Sequence, residues 1–136
     1  MGTRSTIAIE NANGTVTGIY CHWDGYLSHN GRILQENYTT EAEVRELLAL
    51  GDLSSLGANI GEQTDFSAPA DGQCVAYGRD RGETGIEAKT FESYAELIEQ
   101  MGQEYDYLFA NGVWTVHSYD GTAVLTEALA QEAQEA

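Results

Sequence analysis

Basic residues are the scarcest part of this 136-residue chain: six, against 22 acidic ones, for a formal net charge of −16. A field of that sign repels nucleic acid and anionic membrane and attracts basic surfaces. Five of the six cations are arginine and only Lys89 is lysine. Pro69 is the one proline, and Cys21 and Cys74 are the only cysteines. Two cysteines are too few for a disulfide framework, and a cytosolic chain keeps them reduced. Both lie in apolar, strand-like patterns, so buried thiols are expected. No apolar run approaches the roughly 18 residues of a membrane span. The opening Met1-Gly2-Thr3-Arg4-Ser5 lacks the apolar core of a signal peptide, and Thr6 gives only a short match to a myristoylation pattern. The expected setting is cytoplasmic, with no membrane contact and no direct nucleic-acid contact.

What is present suits a folded chain. An apolar fraction of 42% with 10% aromatics argues against global disorder, and the length fits one domain spanning residues 1–136. Residues 3–22 read as a β-hairpin: Ile7 and Ile9 alternate with β-branched neighbours, and Asn13-Gly14 supplies the turn. A second hairpin runs from Tyr105 to Tyr119 around Asn111-Gly112. Thr40-Glu41-Ala42-Glu43 is a capping box opening a helix that ends at Gly51, and Ser93-Tyr94-Ala95-Glu96 repeats the pattern before a helix that stops near Gly102. A further helix is expected from Gly31 to Tyr38, one helical turn at Leu53–Gly57, and a helical, end-frayed tail from Thr122. Gln73–Tyr77 reads as a strand with Ile86–Phe91 pairing back on it, and Gly78–Glu83 as a polar turn between them. Residues 57–72 form a long loop and a candidate mobile flap. The fold class is therefore α+β: an antiparallel sheet of hairpins with two or three capped helices packed on it.

The stretch from Tyr20 to Arg32 concentrates chemistry, with His22, Trp23, Asp24, Tyr26 and His29 beside Cys21 and bounded by glycines. Loops on a rigid scaffold are where binding residues gather. Zinc is disfavoured, because Cys21, His22, His29 and Cys74 lack a paired-ligand spacing and strand neighbours point to opposite faces. No metal or cofactor is expected. His22 and Asp24 stand two apart, the spacing of an imidazole and its orienting carboxylate, which would suit a small hydrolase. No nucleophile elbow or phosphate loop accompanies them, so no catalytic residue is assigned. Arg4, Arg79 and Arg81, each near glycine, offer planar forks for an anion. With His22, Trp23, Asp24, Tyr26 and His29 they define a candidate pocket for a small anion or nucleotide signal.

Four blocks carry a resemblance. Gly2-Thr3-Arg4-Ser5-Thr6-Ile7, the run Tyr20–Tyr26 with Asn30–Leu34, Leu50–Gly57, and Tyr77–Glu83 resemble a group of small acidic phage and prophage proteins. The resemblance covers nearly the whole chain and implies a context rather than a catalytic set: accessory phage proteins that counter host defences, anti-CRISPR inhibitors among them. On that reading Glu41, Glu43, Glu46, Glu96 and Glu99, on the two capped helices, engage the basic nucleic-acid groove of a host defence protein or nucleoprotein.

Overall fold

The computed structural model describes residues 2–135. Its centre is β1 (Ser5–Glu10), whose successive residues serve two faces of one sheet. Ile7 and Ile9 join the larger core, while Ala8 joins a smaller one on the opposite face, as the period-two geometry of a strand requires. The hairpin partner β2 (Val16–Cys21) pairs with it antiparallel, and β6 (Tyr105–Ala110) pairs with its other edge in parallel. Outside these lie β7 (Val113–Ser118) and β8 (Gly121–Val124) on one flank. On the other flank β3 (Leu53–Ser55), β4 (Val75–Ala76) and β5 (Lys89–Phe91) complete eight strands. The sheet is mostly antiparallel but mixed, with β1–β6 and β2–β3 parallel.

Three helices cover the larger core: α1 (Arg32–Asn37), α2 (Glu41–Leu48) and α5 (Leu125–Glu135), through Leu34, then Val44, Leu47 and Leu48, then Leu125. Fully burying a side chain of this size contributes about 1.5–3 kcal/mol. The reciprocal capping box at Thr40 and Glu43 is formed, and Gly51 after α2 is left-handed at φ 77°. The other face holds α4 (Tyr94–Met101), whose Leu97 lies on Gly18. A Cβ at Gly18 would stand 2.8 Å from that leucine, so the glycine sets how closely helix and sheet approach. Ser93 accepts from the Glu96 N–H, one half of the expected box.

Several local expectations are corrected. Leu53–Ser55 is a strand rather than a helical turn, because Leu53 extends the β2 edge next to Cys21. Tyr77–Arg81 is α3, a short helix ended by Gly82 at φ 74°, rather than an open turn. The strand at 89–91 pairs with β2 instead of returning on residues 73–77. A strand, β8, precedes the C-terminal helix. The expected fraying concerns an end whose last residue lies outside the described ones. No described helix is long and apolar enough to cross a membrane.

Candidate functional site

The end of β2 delivers the Tyr20–Gly31 segment to one end of the sheet, next to the start of β1. The His22 and Trp23 N–H groups donate to the Leu53 and Ser54 carbonyls, each at 3.0 Å, which carries pairing past the strand. The chain then reverses at Asp24, one of two non-glycine residues with positive φ (56°) among those described. Such a conformation costs energy unless the surroundings enforce it. Here they do. The Gly25 N–H donates to Thr3 O at 2.7 Å, and the buried Tyr107 hydroxyl donates to Gly25 O at 2.6 Å. A Cβ on Gly25 would meet the Ser5 Cβ at 2.7 Å, so only glycine fits. Leu27–Gly31 follows as one turn of π-helix, a rare geometry that is frequent at functional sites.

Asn30 fixes this turn from beneath. It is fully buried, and its Nδ2 faces Ser5 Oγ at 3.2 Å and the Trp23 carbonyl at 3.4 Å. A carbonyl accepts only, so the amide nitrogen belongs on that side and Oδ1 faces His29 Nδ1 at 2.9 Å. His29 therefore donates through Nδ1, which leaves Nε2 without a hydrogen bond to another described residue. His22 is committed elsewhere, with Nδ1 2.7 Å from the Tyr20 hydroxyl. No hydrogen bond joins His22 to Asp24 among the described residues, because the strand ends at Cys21 and the left-handed turn separates them. Trp23 and Tyr26 stay 43% and 37% exposed. Cys21 is buried, and burial pushes its thiol up to about 12; burial also raises Cys74. Neither supplies a thiolate at neutral pH.

The arginines divide. Arg79 is held internally: Nε to Asp80 Oδ1 at 3.0 Å, Nη1 to Ile60 O at 2.8 Å and Nη2 to Cys74 O at 2.9 Å. Burial raises the Asp80 carboxyl, but Arg79 and the N–H groups of Ala76 and Thr64 outweigh it and hold the group below the ordinary carboxylate value. Arg81 pairs with Glu83 and lies over the Phe66 ring at 4.4 Å and the Tyr77 ring at 5.0 Å. Both arginines thus fasten the 57–72 loop to α3. Arg4 is exposed beside β1, near enough to Tyr20 to lower its proton affinity, although burial, the larger influence, raises it. The three arginines do not form a common clamp.

The five glutamates do not share a surface either. Glu41 and Glu46 are exposed on α2, with Glu41 paired to Arg45 at 2.8 Å, and Glu43 is taken up in the cap. Glu99 is exposed and Glu96 half-buried on α4, which lies across the sheet from α2.

A groove of 430 Å³ separates the segment from the loop, lined among others by Asp24, His29, Ser55, Ala58 and Asp71. No cluster of described His, Cys, Asp or Glu residues is arranged to hold a metal ion. Sequence reading missed both the groove and Asn30, whose only signal is its place beside His29 ahead of a glycine. In comparisons with known families, curated proteins and solved structures, none matches this chain.

Proposed function

We propose that the protein is a non-covalent inhibitor of the counter-defence, anti-CRISPR-like kind, acting in the host cytoplasm by occupying a basic nucleic-acid-binding site on a defence protein or nucleoprotein. One observation carries the reading: the charge of −16 is largely uncompensated at the surface. Three ion pairs form among the described residues, all between residues at most four apart in sequence, and they engage Arg45, Arg79 and Arg81. The phage-like sequence blocks supply the setting. Acid on opposite faces, on α2 and on α4, suits a groove that closes round the protein better than a flat basic surface. The nucleotide-binding alternative has lost Arg79 to internal bonds. The hydrolase alternative lacks a hydrogen-bonded His22–Asp24 pair.

The test is capture of the partner from host lysate, followed by paired charge reversals. Glu96→Lys with Glu99→Lys alters one face, and Glu41→Lys with Glu46→Lys the other. Each pair is expected to weaken binding at least tenfold at low salt, with unchanged circular dichroism, and the affinity of the native chain falls as salt rises. Undiminished inhibition by both double variants rejects the proposal.

A further inference from the structure

The groove between the Asp24–Ile33 turn and the 55–75 strand and loop presents two carboxylates, a hydroxyl and a ring nitrogen. The Asp24 and Asp71 carboxylates and the Ser55 hydroxyl make no hydrogen bond or ion pair with other described residues, and His29 offers Nε2 because Asn30 holds its Nδ1. Three of the wall donors are engaged within the fold. Gly57 N–H goes to Cys74 Sγ, Ala70 N–H to Thr64 Oγ1, the Gln73 amide to Glu62 O, and Pro69 has none. Asp24 is kept in place by its left-handed backbone and by Asn30 N–H on its carbonyl at 3.2 Å. Two unpaired carboxylates with the His29 ring and the Ser55 hydroxyl around 430 Å³ are complementary in charge to a flat cation with several N–H donors, and no cluster among the described residues is arranged for a metal ion. Guanidinium, with five donors in a fixed plane and weak hydration, fits that description better than ammonium.

We infer that this groove receives an arginine side chain from a basic segment of the partner. The inference rests on the inhibitor reading for the source of the arginine, while the chemistry of the groove stands on its geometry. The Trp23 and Tyr26 rings are exposed on the same turn, on either side of Asp24 in sequence.

The experiment is a titration of the ¹⁵N-labelled chain with N-acetyl-arginine amide, followed by NMR at constant ionic strength. Saturable shifts confined to residues 24–33, 55–58 and 69–75 are expected. Asp24→Asn and Asp71→Asn each weaken the response about fivefold. Glu127→Gln, an equal charge loss on α5, leaves it within about 1.5-fold, as a remote exposed charge should. Ala58→Trp fills the groove without changing charge and abolishes the response. Shifts spread over the acidic helices, reproduced by sodium chloride, or unaffected by Ala58→Trp would overturn the assignment. Equal affinity for free arginine would also overturn it, since a free carboxylate beside Asp24 and Asp71 marks a metabolite site rather than a docking site. Failure here leaves the charge-reversal result standing, and failure of the charge reversals leaves these shifts standing.

Discussion

Segments 20–31 and 77–83 both crowd polar and aromatic side chains between glycines, and both sit at the flank of the sheet where β2 meets β3. In the first, the inward groups are Asn30 and the backbone around Gly25, which leaves Trp23, Asp24, Tyr26 and one side of His29 facing outward. In the second, Arg79 and Asp80 turn inward and engage Ile60 O, Cys74 O, Ala76 N–H and Thr64 N–H. A polar, glycine-bounded stretch is therefore a site or a latch according to where its hydrogen bonds close. Residue type alone does not decide between them, because an arginine fork can be taken up by carbonyls and a carboxylate of its own chain as well as by an external anion.

The comparison breaks most sharply at Arg79. If 77–83 is a latch, Arg79→Ala strands the Asp80 carboxylate, whose side chain is fully buried, and lowers stability by about 3 kcal/mol. Urea denaturation measures this, and hydrogen exchange should show 57–72 opening at the same time. Arg81→Ala removes an exposed pair and a cation–π contact, so its cost stays near 1 kcal/mol. Equal effects from the two arginines would mean that the latch is misassigned.

Next in size is Asn30→Ala, which leaves the part-buried Trp23 carbonyl and the buried Ser5 hydroxyl short of a donor and costs about 2 kcal/mol. It also frees His29 Nδ1, so the NMR tautomer signature of His29 should change. An unaltered His29 spectrum would contradict the role given to Asn30.

Acid sharpens the contrast through Asp80. Its pKa is depressed in the folded state, so its stabilisation is complete above the unfolded value near 3.9 and is lost as pH falls through the folded one. Asp106 works in the opposite sense. Burial raises its carboxyl despite Thr6 and Gln103 N–H, so its contribution falls as pH rises through the window above the unfolded value. The difference between the native and Asp80→Asn stability curves cancels Asp106 and isolates the latch. It should shrink as pH drops below the unfolded value, and a constant gap would deny the latch its ionic part.

These fates explain which parts of the molecule were legible in the sequence. Both hairpins and the Thr40 cap rest on signals within a few residues, such as Asn-Gly turns and the Thr-x-x-Glu box, so they were readable. The strand at Leu53 and the pairing of residues 89–91 with β2 depend on partners more than 30 residues away, and local propensity does not record them. The parallel β1–β6 contact, which places Tyr107 under Gly25, is likewise invisible until the chain is folded. The Tyr20–Arg32 stretch stands out by composition as a candidate site. Its inner support does not, since Asn30 looks like any loop asparagine until burial gives it partners.

The smallest expected effect on stability belongs to Trp23, and it tests the site side of the comparison. The ring is 43% exposed and packs edge-on against His22 with centroids 4.7 Å apart. Trp23→Ala should shift folding stability by no more than about 0.5 kcal/mol. The same change should weaken partner binding by about 2 kcal/mol, as loss of an exposed aromatic anchor does. Thermal melts and a binding titration on one preparation separate the two quantities. A tryptophan that mattered for folding and not for binding would place segment 20–31 with segment 77–83 among the latches. The reverse pattern keeps them apart, because a side chain can be removed without cost to the fold only where the fold never used it.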